Sequence, residues 1–273
     1  MKESEKKVYE DEISFLSKKI LELNKKLIES EKAKSRFLSL VAYELNNPMT
    51  VLMGLIPHLE LQKCDKNEEL LFLVSKELMN LDYKVMNLVA AAQIENGKMD
   101  ISYFSVNLPT LIEEAIGFFK YMSIEKDIHF VLDCDFEDDI AIEPQFLDII
   151  LKNLIANSCQ YGEQHSEVNI CCSGDDTHLK ISITNKGKGP KIEFKPEVFT
   201  RFSVSPENEH GLGIGLSIVK ELCTLLDGDV DYNVADGFVT FEVTICLNDK
   251  GVMAHACSSN EFLFDSFEGA IEL

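Results

Sequence analysis

A change of hydrophobic period near residue 97 constrains this chain more than any other feature. Before it, Leu71, Val74, Leu78, Leu81, Val85, Leu88 and Ala92 hold an a/d register over three heptads, the narrow apolar seam of a helix that packs on other helices. Gly97 closes that helix as a C′ glycine does. After it, Ile128, Phe130 and Leu132 alternate, as do Val168, Ile170 and Cys172, then Leu179, Ile181 and Ile183, and finally Phe238 to Ile245. Period two predicts strands. Between them lie helical patterns: Leu111, Ile112, Ala115, Ile116 and Phe119, with Asn107 as cap and Pro109 in the first turn; Phe146, Leu147, Ile150, Leu151, Leu154 and Ile155 within a helix over 143–161; and Ile214 to Leu226. The order predicts an α+β chain, a helical hairpin followed by a two-layer α/β sandwich, with a boundary near residues 97–107.

The hairpin's first arm shows Phe37, Leu38, Val41 and Leu45 on one face before Asn47-Pro48, where a kink is expected. The polar stretch Lys63 to Glu69 reads as the connection. One hairpin cannot bury both its stripes, so two are expected to pair as a dimeric four-helix bundle. Upstream, Ile13, Ile20 and Leu27 recur at seven, and Leu16 and Leu23 do the same three residues out of phase. That pattern suits a short coiled coil, and a lone amphipathic helix docked on its own chain is the alternative. The expected organisation is an N-terminal coiled-coil helix over 1–34, the hairpin over 35–97, the sandwich over 107–247 and a tail over 248–273. The tail carries Phe262, Leu263, Phe264, Phe267 and Ile271 among acids. Packing on the domain and binding a partner both remain open for it.

Charge excludes one class of function. With 47 acids against 26 bases the net charge is −21, and coating nucleic acid needs a basic face. No apolar run approaches the roughly 18 residues of a membrane helix, and the first thirty residues are charged throughout. A cytoplasmic protein without membrane insertion is expected. Eight cysteines occur without a C-x-x-C pair. They read as buried or idle thiols in a reducing compartment, with the adjacent Cys171 and Cys172 the only redox hint.

Three elements carry chemistry. Asn153, Asn157 and Gln160 fall at i, i+4 and i+7 on one helical face, with Tyr161 beside them. Amides on a buried face are costly unless paired, and they suit phosphate oxygens and the water shell of a magnesium ion. Gly187 and Gly189 follow a strand ending near Asn185, and Gly211, Gly213 and Gly215, then Leu216, open a helix. Glycines let backbone amides approach a phosphate, and a helix N-terminus adds positive potential. Neither cluster is a P-loop or a dinucleotide fingerprint.

In combination these elements resemble the sensor histidine kinases of two-component systems. Asn153-Leu-Ile-Ala-Asn157-Ser-Cys-Gln-Tyr161 resembles their N box, and Asn185-Lys-Gly187-Lys-Gly189 their first glycine box. Phe199-Thr-Arg-Phe202 is similar to the phenylalanine box, and Gly211-Leu-Gly213-Ile-Gly215-Leu-Ser-Ile-Val-Lys220 to the second glycine box. Upstream, Lys34-Ser-Arg-Phe37-Leu-Ser-Leu-Val-Ala-Tyr43-Glu44-Leu-Asn-Asn47-Pro48-Met resembles the H box of the dimerisation and phosphotransfer hairpin. The resemblance spans about residues 34–247. It implies a Bergerat-type ATPase domain over 107–247 with ATP and magnesium as cofactors. Asn153, Asn157, Gln160, Tyr161, Asn185, Gly187, Gly189, Gly211, Gly213, Gly215 and Leu216 would contact the nucleotide, and Asn157 the metal. The implied partners are a second copy of the chain and a response-regulator receiver domain or another histidine kinase.

Departures from the family pattern qualify this. Tyr43 occupies the phosphoacceptor histidine position. A phenol with pKa near 10 is protonated at neutral pH and gives a stable ester, so relay to an aspartate is not expected. Asn185 replaces an aspartate that would accept the adenine amino group, and Gln160 replaces a lysine near the phosphates. Losing one hydrogen bond to a charged group costs roughly tenfold or more in affinity. A pocket that retains ATP and a fold kept only as a platform are both compatible with these residues. Glu44-Leu-Asn-Asn47 matches the Glu-x-x-Asn form of the family's phosphatase motif, and Asn47 also suits the position before a kinking proline. The expected function is an atypical histidine-kinase homologue that binds a response regulator or partner kinase and sets its phosphorylation state. The alternatives are a response-regulator phosphatase using Glu44 and Asn47, or an active kinase that phosphorylates Tyr43 or another site.

Overall fold

The computed structural model describes residues 15–25, 28, 41, 45–55, 67–97, 99–136, 139–175, 177–187, 189, 198–199 and 213–247. The chain divides into two compact units, residues 1–47 and 48–273. In the first, residues 15–25 are helical, with Leu16, Ile20 and Leu23 exposed. The expected coiled-coil positions Ile13 and Leu27, and the tail over 248–273, lie outside the described residues. Residues 45–55 are helical, Pro48 included.

In the second unit, helix α1 (Asn67–Asn96) precedes strand β1 (Phe104–Val106). Of the connection read at Lys63 to Glu69, residues 67–69 are already helical, and residues 63–66 lie outside the described residues. Gly97 ends α1 with φ +60° and its N–H on the Ile94 carbonyl, the left-handed step that glycine permits. Then follow α2 (Leu108–Phe118), α3 (Lys120–Lys126), β2 (His129–Cys134), β3 (Ile140–Ile142), α4 (Pro144–Tyr161), β4 (Glu167–Gly174), β5 (His178–Lys186), α5 (Gly215–Leu225), β6 (Asp229–Ala235) and β7 (Phe238–Cys246).

Local chemistry explains the helix starts. Asn107 caps α2, its Oδ1 accepting from the Thr110 N–H at 3.1 Å, with Pro109 in the first turn. Glu143 caps α4 by accepting from the Gln145 N–H at 3.1 Å, and also takes the Ser102 N–H at 2.9 Å. Burial pushes the Glu143 carboxyl above its ordinary range.

The main sheet has the order β2-β4-β5-β7-β6, with β2 parallel to β4 and every other pairing antiparallel. Strands β4, β5 and β7 alternate buried and accessible residues, so one face meets the helices and the other meets water. Val168, Ile170, Leu179, Ile181, Ile183, Val243 and Ile245 face inward against Leu147, Ile150, Leu151, Leu154 and Ile155 of α4 and Ile218, Val219 and Leu222 of α5. The outer face is polar, with Lys180 paired to Glu242 at 2.8 Å and Thr184 to Thr240 at 2.9 Å. The protein is therefore α+β, a helical N-terminal region followed by a two-layer sandwich. The strands at Phe104–Val106, Ile140–Ile142 and Asp229–Ala235 were not expected from the sequence. The first two are only three residues each and pair with each other.

Cys171 is exposed and Cys172 is buried, on opposite faces of β4. Burial pushes the Cys159 and Cys223 thiols up to about 12, which keeps them protonated and unreactive.

Helix α1 has two characters. The face bearing Phe72, Lys76, Tyr83, Asn87 and Ala90 lies on the sandwich. Phe72 meets Tyr121 and Tyr83 meets Phe119 edge to face, at 5.1 and 5.5 Å between ring centroids. Lys76 pairs with Glu125, and Ala90 is buried. The a/d stripe points elsewhere: Leu71, Leu78 and Val85 are 52, 51 and 41% exposed. At about 100° per residue the two stripes fall on nearly opposite sides of the helix.

Candidate functional site: α4, the end of β5 and the start of α5

Helix α4 turns Asn153, Asn157 and Tyr161 toward one region, one turn apart. Beside its C-terminus, Gly162 and Gly187 form an isolated antiparallel bridge. A Cβ on Gly187 would strike the backbone oxygen of Tyr161 and lie 3.3 Å from Asn185 Nδ2. At the other end, a Cβ on Gly215 would lie 2.5 Å from Asn153 Oδ1. Tyr161, Asn185 and Gly187 thus lie together at the C-terminal end of α4, and Asn153 and Gly215 lie together about two turns earlier on the same helix; glycine is needed where the backbones close in.

Asn185, at the end of β5, is 2% exposed. Its Nδ2 reaches only the Lys186 carbonyl, at 3.4 Å, and its Oδ1 accepts no hydrogen bond among the described residues. A buried amide oxygen without a donor is uncommon and costly; it suits the exocyclic amine of a purine. Asn157 is half-buried, and its side chain makes no hydrogen bond among the described residues. Its amide oxygen is the kind of ligand magnesium accepts.

Helix α5 begins after Gly213 (φ +61°), and its N-cap Ile214 offers no side-chain acceptor. The first amides of α5, Gly215 and Leu216 among them, therefore have no side-chain cap and present positive potential. Those features fit a nucleotide with its metal. Gly189 lies where a Cβ would approach Val234 Cγ2 at 2.6 Å and Val239 Cγ2 at 2.8 Å. Gly189→Ala is expected to cost about 1–3 kcal/mol by overpacking, read as a lowered thermal midpoint.

Asn153 is engaged elsewhere. Its Nδ2 donates to Asn87 Oδ1 and to the Ile149 carbonyl, both at 2.8 Å, and its Oδ1 accepts from the Tyr83 hydroxyl at 2.9 Å. Tyr83 and Asn87 were missed in the sequence reading, which followed only the heptad seam of α1. Their spacing of four on the side away from that seam was the available signal.

Gln160 is exposed, and its carbonyl accepts from Lys126 Nζ at 2.5 Å. Lys126 also reaches the Gly162 carbonyl at 3.3 Å. That lysine caps the C-terminal end of α4, where a cation is favourable. Burial pushes the Tyr161 phenol above its ordinary range. Phe199 lies 6.0 Å from Tyr232 between ring centroids. Asn47 is exposed on a helical segment in the other unit. Tyr43, Glu44, Arg201, Phe202 and Gly211 lie outside the described residues. Among the described residues, no helix is long and apolar enough to cross a membrane, and no group of three or more His, Cys, Asp or Glu could hold a metal ion.

Comparison with known proteins bears on the fold that carries these residues. Residues 142–249 match the family model described as histidine kinase-, DNA gyrase B-, and HSP90-like ATPase. The sensor histidine kinase HprS of Escherichia coli strain K12 is 25% identical over 86% of this chain and 52% of its own length. Histidine kinase AdeS of Acinetobacter baumannii shares the fold with a TM-score of 0.55 and 20% identity, over 76% of this chain and 98% of that one. A crystal structure of histidine kinase ThkA in complex with response regulator protein TrrA gives a TM-score of 0.52 and 20% identity, over 78% of this chain and 61% of that one. The chain spans about half or less of the length of the curated relatives it matches.

Proposed function

We propose that this chain, which is similar to sensor histidine kinases over most of its length and matches their ATPase family model over residues 142–249, is a member of that family and sets the phosphorylation state of a response regulator or a partner kinase by binding it, without forming phosphohistidine. The observation that carries the reading is a pocket equipped for a nucleotide in a chain whose acceptor position holds a phenol, Tyr43. Asn185 Oδ1 takes the adenine amino group, Asn157 the metal, and the uncapped amides at the start of α5 the phosphates. ATP with magnesium supplies a transferable phosphoryl group when bound. In this reading the receiver docks on the hairpin, the ATPase-like domain gates access to it, and the protein is a homodimer joined through the exposed stripe of α1. Residues 1–34 form a coiled-coil helix, 35–97 the hairpin and 107–247 the ATP-binding domain.

Incubation with ATP labelled at the γ-phosphate is expected to leave no acid-labile, alkali-stable phosphoryl group on the chain; such a mark would overturn the reading. Label that disappears in Tyr43→Phe would instead identify an active kinase.

A second reading is a response-regulator phosphatase. Asn47 is exposed on a helix, so its amide is free to orient a water in line with an aspartyl phosphate. Asn47→Ala is then expected to slow dephosphorylation of a bound receiver about tenfold or more. An unchanged rate in that assay removes the enzymatic role.

A further inference from the structure

We infer that Tyr83 and Asn87 form a latch that holds the ATPase-like domain on α1 and competes with nucleotide for Asn153. The inference rests on the reading that the pocket binds ATP. Asn153 is fully buried. Both its amide hydrogens are used, one by Asn87 Oδ1 and one by the Ile149 carbonyl, and its oxygen is held by the Tyr83 hydroxyl. Two of those three partners come from α1. The Tyr83 hydroxyl oxygen would also lie 3.6 Å from a Cβ on Gly215, the first residue of α5. The latch therefore reaches the phosphate end of the pocket and touches both elements that frame it.

The rest of this contact is aromatic and small apolar: Phe72 on Tyr121, Tyr83 on Phe119, and buried Ala90 and Ala91. Such a surface adheres without polar groups. Placing a phenol and two amides within it costs desolvation that only their mutual hydrogen bonds offset. If α1 leaves, Asn153 keeps one partner, the Ile149 carbonyl of its own helix. It then joins Asn157, one turn further along α4, as a second free amide facing the ligand. Nucleotide and metal that engage Asn153 must displace Tyr83 and Asn87. Binding and docking are therefore coupled with opposite sign, and the coupling is reciprocal.

The test uses the whole chain and a non-hydrolysable ATP analogue with magnesium, titrated by calorimetry and followed by amide hydrogen exchange in α1. Tyr83→Phe keeps the ring on Phe119 and removes only the hydroxyl. Asn87→Ala removes the other partner. Each variant is expected to bind the analogue about 5- to 10-fold more tightly, the equivalent of one lost hydrogen bond in the docked form. Exchange in α1 should quicken in the variants, and in the parent chain on saturation with analogue. Analogue binding to the parent with no tightening in either variant overturns the latch alone. Binding that appears only in the variants supports it. If neither parent nor variants bind, the competition is overturned and the ATP-binding reading falls with it.

Discussion

The chain carrying Leu78→Glu together with Val85→Glu is expected to run as a monomer in light scattering, under conditions where the parent runs as a dimer. Both positions lie on the a/d stripe with Leu71 and Ala92, and both are exposed in the single chain, at 51 and 41%. A helical hairpin with such a stripe open to water buries it in association. Placing two carboxylates there forces either burial of unpaired charge or separation of the subunits, and the first costs several kcal/mol per group. The dimer should weaken by at least about 100-fold. The substitutions leave the packed face of α1 untouched, because Phe72, Tyr83, Asn87 and Ala90 lie nearly opposite. Thermal unfolding of the sandwich should therefore stay within about 2 °C of the parent under monomeric conditions. An intact dimer would show that association runs through a different surface.

Asn185→Asp is expected to move two properties in opposite directions. The new carboxylate accepts the adenine amino group with a full charge, and a charge-assisted bond exceeds a neutral one by about 1 kcal/mol or more. ATP affinity should rise roughly tenfold. In the free protein the same carboxylate is buried at a position 2% exposed, where the side chain bonds no cation among the described residues. Burial raises the folded pKa above the unfolded value near 3.9. The stabilising contribution is present below the unfolded pKa and is lost as pH rises through the folded one. At neutral pH the apo variant should be about 1–3 kcal/mol less stable than the parent, and the deficit should shrink as pH falls toward about 4 and be gone by about pH 3. Asn185→Leu offers no acceptor and should reduce ATP binding at least tenfold. Equal affinity for ATP in all three proteins would mean that adenine does not rest on residue 185.

The helices and long strands were legible because each is amphipathic over many residues. Leu179, Ile181 and Ile183 alternate over a fully buried face, and Asn107-Leu-Pro109 announces the start of α2 through a cap and a proline. Strands β1 and β3 were not legible, since three residues are too few to show a period and each is defined by its partner. Strand β6 carried the signal in Val230, Tyr232 and Val234, which was not read. Asn153 could be named as a candidate because amides at helical spacing on a buried face are unusual, the glycines because they cluster after a strand and before a helix, and Asn185 through the family resemblance. What each amide bonds to was out of reach, because Asn87 and Asn153 are separated by 66 residues. Lys126 at the end of α4 is similar: its role depends on a carbonyl 34 residues away.

The two-sidedness of α1 sets a stoichiometry. In an assembly with two-fold symmetry about the seam, each copy turns its sandwich outward, away from the axis. The two sandwiches then stand on opposite flanks of the seam, neither shielding the other. In such an assembly a movement of α1 would be felt by each sandwich directly, because Phe72 and Tyr83 pack on Tyr121 and Phe119.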